Sequence, residues 1–335
     1  MREYIKIRST NFDLVLGDVN KNKEIIKDLV KKAEKDGVNI LSLPELSLTG
    51  ASLYDGYWDL AEICEDAIMD LIEFSKDYKV LFSVGFPLLY NKKLYNAIAL
   101  IINGVLINLT TKKNLKAYEK NIFSTDMPED EFLNVFESWP DVNLNWHTIN
   151  GLAIAVTIGE DELMTIPRSL KYKSVKESQQ EIILNPCAEP KTALNEEEIL
   201  DRVKFLSKDL TYIYTSSGIG ESTTDFVYGG LNIIANDGKI INTNCNSQVD
   251  YIGKHYLNVD DDSLISNDFT KERMPVEKFP YLPDYEKSEK YVNDVLDIGA
   301  RGIISRMKHI GIKDVFIGVS GGLDSTMALL TLVHA

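Results

Sequence analysis

An α/β fold with a mixed sheet is what residues 1 to about 250 predict, on two observations. Strand-like and helix-like stretches alternate early in the chain, and two Asx-Gly dipeptides later sit between apolar runs of strand length. YIKIRST gives a first strand. Lys21–Lys35 follows with Ile25, Ile26, Leu29, Val30 and Ala33 at helical spacing, one apolar stripe on a charged helix. The strand VNILSLPEL comes after Gly37, then a loop rich in Gly, Tyr and Asp (TGASLYDGYWD), a helix over roughly Leu60 to Tyr78, and the strand VLFSVGFPL.

From Leu94 the pattern changes. YNAIALII and VLINLTTK flank Asn103-Gly104, the dipeptide best suited to a type I′ hairpin, and GLNIIANDGKIINTN repeats the device at Asp237-Gly238. Between them lie the strand GLAIAVTI, which ends in Gly159-Glu160-Asp161-Glu162, the apolar run EIILNP, a helix near Asn195 to Leu206, and the strand LTYIYTS. A chemical site is expected at Gly159, because the carboxyl end of a strand is where α/β folds place their ligands. Residues 255–287 carry three acids in a row and Pro275, Pro280 and Pro283, a composition that reads as a linker or surface wrap. A helical pattern resumes at Tyr291 and leads to a strand DVFIGVS. The chain has no internal repeat.

Bulk properties narrow the function. The 335 residues are 44% hydrophobic and 26% charged, as in an ordinary globular protein with an ample core, and exceed the usual size of one domain. A net charge of −15 argues against nucleic acid or an anionic membrane as the main partner. Three scattered cysteines fit a reducing compartment and lack zinc-site spacing, so no metal site is expected from them. No apolar run reaches membrane-spanning length and the N-terminus has no signal-peptide core, which points to the cytoplasm. His147, His255 and His309 lack an acid or serine at a suggestive spacing and read as structural.

GVSGGLDSTMALLTLVHA places Ser320-Gly321-Gly322-Leu323-Asp324-Ser325 between an apolar stretch and a helix. Glycines there let backbone N–H groups close around an oxyanion, and the helix dipole and the serine hydroxyls add to the attraction. The lysine of the GxxxxGK[ST] loop is missing. The segment resembles the SGGxDS pyrophosphate loop of the ATP pyrophosphatase superfamily. That resemblance implies that Ser320, Gly321, Gly322, Asp324 and Ser325 hold the pyrophosphate of ATP, with Mg2+ as its companion. The chain ends ten residues later, so whatever binds adenine, the second substrate and most of the magnesium is expected to lie outside it.

With that loop as guide, LSLPELSLTG, the hairpin-and-lysine region, the ILNP strand, SSGIGESTTDFVYGG and the linker into SGGLDS resemble the glutamine-dependent NAD synthetases. The resemblance implies a nitrilase-like four-layer α-β-β-α sandwich over residues 1–254, a linker over 255–287, and over 288–335 the truncated start of a doubly wound α/β nucleotide-binding domain. It implies ATP-driven amidation of nicotinic acid adenine dinucleotide to NAD, with glutamine or ammonia as nitrogen source and a homo-oligomer as the working form. In that family a glutamate is general base, a lysine stabilises the oxyanion and a cysteine attacks the glutamine amide, so that thiolate, carboxylate and ammonium cycle protons around a thioester.

Glu45 matches the base, Lys112 the lysine and Glu119 a second glutamate of the family site. The loop before Tyr118-Glu119 is about four residues shorter than the family's, which leaves Lys113 as a rival to Lys112. At the nucleophile this chain departs from the pattern. Where the family reads roughly VEICEDLW it reads VTIGEDEL, so Gly159 occupies the cysteine position and the amidase is expected to be inactive. Glu160 is a poor substitute, because carboxylates attack amides weakly. A second departure is Asn185-Pro186-Cys187-Ala188-Glu189-Pro190, where Glu189 would repel a substrate carboxylate if it faced the pocket and Cys187 could be a relocated nucleophile. The alternatives are a non-catalytic scaffold, or an amidase with an unorthodox or substituted residue 159.

Overall fold

A computed structural model describes residues 4–127, 147–149, 152–161, 181–223, 225–245, 247–254, 282–283 and 285–335. Among the described residues twelve strands form two six-stranded sheets. In chain order these are β1 (Tyr4–Ser9), β2 (Ile40–Ser42), β3 (Leu81–Tyr90), β4 (Lys93–Ile102), β5 (Val105–Thr111), β6 (His147–Ile149), β7 (Leu152–Val156), β8 (Glu181–Cys187), β9 (Thr211–Ser216), β10 (Leu231–Asn236), β11 (Lys239–Cys245) and β12 (Val249–Lys254). The first sheet runs β12-β1-β2-β3-β4-β5 and the second β11-β10-β9-β8-β7-β6. The helices among the described residues are α1 (Val19–Lys35), α2 (Tyr57–Ser75), α3 (Asn195–Leu206), α4 (Ser288–Ile310) and α5 (Leu323–His334).

The period-2 alternation of the strands sorts side chains into three apolar layers. Phe82, Val84, Phe86 and Leu88 of β3, with Ala97, Ala99 and Ile101 of β4, face α1 and α2. Their neighbours Leu81, Ile98 and Leu100 point the other way and meet Ile154, Ile182, Leu184, Ile213 and Ile234 of the second sheet. On that sheet's far side Ile183, Tyr212 and Ile233 pack on Ile199 and Val203 of α3. The layers are therefore α-β-β-α, and the strands divide between two stacked sheets where periodicity alone suggested one. A buried polar knot fixes the stacking: the Ser9 hydroxyl lies 2.7 Å from that of Thr215 and donates to Asn232 Oδ1, and Ser42 also meets Thr215 at 2.7 Å.

Both Asx-Gly hairpins form with positive φ at each turn residue, 49° and 79° at Asn103-Gly104 and 49° and 71° at Asp237-Gly238. A third turn of the same kind, at Asn91-Lys92 between β3 and β4, was not anticipated. Nor were the edge strands β6 and β12, the latter antiparallel to β1. The helix expected from Tyr291 begins at Ser288 and stops at Gly311, whose φ of 70° makes the left-handed cap.

One expected element is absent. DVFIGVS has strand composition, but among the described residues no strand pairs with it, and a ladder needs a neighbour. Phe316 is accordingly 97% exposed. Of the expected linker, residues 255–281 and 284 lie outside the described residues, as do the side chain of His147 and all of His255; His309 is exposed. No described helix is long and apolar enough to cross a membrane.

Candidate active site

The site lies on one rim of the sandwich. Glu45 follows β2, Lys112 follows β5, Gly159 follows β7 and Ala188 follows β8. Strands β2 and β3 are parallel, and β5 returns to their direction after two antiparallel steps, so Glu45 and Lys112 leave the first sheet on the same side. Strands β7 and β8 are likewise parallel. Glu45 turns inward because Leu46 adopts a φ of 51° and its carbonyl accepts the Thr49 and Gly50 N–H groups. That turn presses on Gly85 of β3, where a Cβ would stand 2.2 Å from the Leu46 nitrogen. Glycine in the middle of a strand thus marks a close backbone approach.

The Lys112 ammonium donates to Glu45 Oε1 at 2.7 Å and to Glu119 Oε1 at 2.8 Å, with all three side chains buried. Asn96 Nδ2 donates to the same Glu45 oxygen at 2.6 Å, and the Ala188 N–H donates to Oε2 at 2.8 Å. Glu119 also accepts the Lys116 N–H at 2.7 Å. Burial pulls the Lys112 pKa down, but Glu45 and Glu119 outweigh it and hold the ammonium firmly charged. Burial and the Glu45 carboxylate raise the Glu119 pKa against the pull of Lys112. One cation between two buried carboxylates can hold a proton, pass it, or stabilise an oxyanion.

Gly159 completes the constellation in space. Its N–H donates to the Pro186 carbonyl at 2.9 Å, its carbonyl accepts Asn185 Nδ2 at 3.0 Å, and its φ is +57°. A Cβ there would sit 3.2 Å from both Lys112 Cε and Nζ and 3.6 Å from Glu45 Oε2. Position 159 therefore points at the carboxylate and ammonium that could activate a nucleophile, and carries none. Glu160 is half-buried, 4.0 Å from the Lys116 ammonium. Asp161 accepts the Lys113 N–H at 3.1 Å and the Asn114 N–H at 2.6 Å, and so anchors the turn that follows Lys112. Burial pushes the Asp161 carboxyl up to about 6 in spite of those bonds. Lys113 itself is exposed, so the lysine that meets the glutamates is Lys112.

The rim opens on a cleft of about 1100 Å³ whose lining includes Lys116, Glu160, Glu189, Phe226 and Arg306. Glu189 does line it, but its carboxylate is paired with Arg202 and accepts the Tyr214 hydroxyl at 3.1 Å. The repulsion expected from its sequence position is thus largely neutralised. Cys187, the candidate for a relocated nucleophile, packs fully buried in the layer beneath α3, and burial with the Glu189 charge pushes its thiol up to about 12, an environment that disfavours attack.

Asn96, Gly85 and Glu221 escaped the sequence reading, and Asp161 was read only as one of the acids beside Gly159. Asn96 and Asp161 hold Glu45 and the turn after Lys112, Gly85 admits the Glu45 turn, and Glu221 is buried nearby. Gly85 carried the one legible signal, a glycine inside an apolar strand. At the other end of the chain Ser320–Ser325 is exposed; Gly321 has a φ of 84°, Gly322 caps α5, and the Ser320 and Ser325 hydroxyls lie 3.1 Å apart. That exposed loop, with open space around Gly321, fits an anion at the start of α5.

Residues 6–152 match the carbon-nitrogen hydrolase family. The chain is 25% identical, over a 379-residue alignment, to the glutamine-dependent NAD(+) synthetase of Mycobacterium leprae, with 99% of this chain and 55% of that protein covered. It is 23% identical to that of Xylella fastidiosa, covering 100% and 57%. The chain thus spans a little over half the length of these relatives. Among solved structures, the glutamine-dependent NAD(+) synthetase of Cytophaga hutchinsonii superposes with a TM-score of 0.70 at 20% identity, over 99% of this chain and 51% of that one. A mutant amidase of the nitrilase superfamily from Nesterenkonia AN1 gives 0.59 at 14% identity, over 76% and 91%. The fold is nitrilase-like, and the homology to NAD synthetases extends over nearly the whole chain.

Proposed function

We propose that this homologue of the glutamine-dependent NAD(+) synthetases keeps the frame of an amide-hydrolysing site but forms no thioester, and that the protein amidates nicotinic acid adenine dinucleotide with free ammonia. The observation that carries this reading is the one at Gly159. Glu45, Lys112 and Glu119 are joined by buried ion pairs, which supports the roles of general base and oxyanion cation, and Gly159 beside Lys112 and Glu45 has no side chain.

Each group then has a role it can fill only in part. Glu45 would take the proton of an attacking atom, Lys112 would stabilise the oxyanion, and Glu119 would keep Lys112 in place. Without a thiol the remaining candidates are carboxylates, too weak to open an unactivated amide. In the ligase reaction a carboxylate of the dinucleotide attacks ATP, pyrophosphate leaves, and ammonia then displaces AMP to give the amide. Ser320, Gly321, Gly322, Asp324 and Ser325 would hold the departing pyrophosphate, and Mg2+ would lower its charge. Residues 1–254 are the amidase-like unit in this reading and 288–335 belong to the ligase unit.

Nitrogen-donor dependence tests it. The protein as its organism makes it is given ATP, magnesium and nicotinic acid adenine dinucleotide with either ammonium or glutamine. NAD is expected with ammonium only. Comparable NAD formation with glutamine overturns the proposal, and none with either donor favours a scaffold.

A further inference from the structure

Glu221 is a buried carboxyl that the triad of Glu45, Lys112 and Glu119 leaves unused. It is 1% exposed, and among the described residues its partners are the Ala51 and Gly218 N–H groups and the Ser217 hydroxyl, with no lysine or arginine. It ends the short turn Ile219–Glu221, where its Oε1 accepts the Gly218 N–H at 3.3 Å and its own N–H returns a bond to the Gly218 carbonyl at 3.1 Å. Its other oxygen reaches across to the Ala51 N–H at 3.1 Å. Ala51 adjoins the turn that begins at Leu46, whose carbonyl accepts the Gly50 N–H at 2.7 Å, and Leu46 follows Glu45. From the opposite side, the Ser305 hydroxyl of α4 donates to the Ile219 carbonyl at 2.9 Å.

We propose that Glu221 is a positioning residue that clamps the Leu46–Ala51 turn under Glu45 and relays the seating of α4 to the triad. A buried carboxyl without a cation is unfavourable by itself, so it persists where its bonds hold something in place. Here both oxygens hold backbone N–H groups from turns that are 170 residues apart in sequence in one case and 3 in the other. The long-range bond makes the amidase rim and the α4 contact one mechanical piece. Burial keeps the Glu221 carboxyl protonated up to about 8, so it acts as a hydrogen-bonding clasp and not as a counter-ion.

The inference rests on Glu45 and Lys112 forming a functional pair, and two readouts separate the failures. Hydrogen exchange of residues 46–52 is followed in the unmodified chain, in Glu221→Gln and in Ser305→Ala; both substitutions are expected to raise it at least fivefold. In a Gly159→Cys background, the pH at which the introduced thiol becomes reactive to iodoacetamide is expected to move by at least half a unit on Glu221→Gln, and in the same direction on Ser305→Ala. Unchanged exchange in both variants overturns the clamp. Raised exchange with an unmoved thiol profile overturns the relay. A parent thiol that titrates like a free cysteine, with exchange still raised, leaves the clamp standing and sinks the triad reading.

Discussion

Glu221→Gln makes the sharpest test of how this rim is built. Burial raises the native carboxyl from 4.5 to about 8, whereas in the unfolded chain it ionises near the ordinary value. Between those two pH values the native state holds a proton that the unfolded state has released, so stability falls as pH rises through the window. About 3.5 pH units at about 1.36 kcal/mol each sets an upper figure of about 5 kcal/mol lost between pH 4.5 and pH 9. Glutamine is neutral throughout and removes that loss. It carries a single acceptor, however, so one of the Ala51 and Gly218 N–H groups is left facing an amide, at a cost of roughly 1–3 kcal/mol. Urea unfolding at pH 5, 7 and 9 should therefore show the variant below the parent at pH 5 and above it at pH 9. Two curves that fall in parallel would refute the reasoning, because Glu221 would then titrate alike in both states.

Other outcomes follow from the same contacts. Gly85→Ala places a Cβ 2.2 Å from the Leu46 nitrogen and should lower stability by about 1–3 kcal/mol or more, read as a drop in unfolding midpoint without a change in slope. Lys112→Met leaves Glu45 and Glu119 buried without their cation and should cost about 3–5 kcal/mol, with part of the loss recovered when Glu119→Gln is added. Among the three thiols Cys245 should react first with a thiol reagent at neutral pH, and Cys187 and Cys64 only on unfolding, as site-resolved mass spectrometry would show.

Local chemistry made part of this molecule legible. The Asn103-Gly104 and Asp237-Gly238 hairpins were readable because the required positive φ is written into those dipeptides. Asn91-Lys92 makes the same turn without glycine and was invisible for that reason. Alternation along each strand showed which residues are buried but not on which of two faces, so the pattern alone read two stacked sheets as one, and the four-layer α-β-β-α sandwich came from the family resemblance. The strand β12 closes on β1 from the far end of the domain, a pairing no local pattern announces. DVFIGVS misled because strand propensity is only a capacity to pair. At the site, Gly159 was legible from its place at the carboxyl end of a strand, Glu45, Lys112 and Glu119 were found through family resemblance, and the structure brings all four together. The roles of Glu221 and Asp161 were not legible because their character comes from burial and from partners 170 and 47 residues away.

Glutamate release from glutamine, measured on the unmodified chain and on Gly159→Cys, tests the central claim most directly. A non-glycine residue at φ +57° beside Lys112 costs about 1–2 kcal/mol, which a folded domain tolerates. The unmodified chain should release no glutamate above background, and the substituted chain should release it in a manner abolished by Lys112→Ala. Turnover by the unmodified chain would contradict the account.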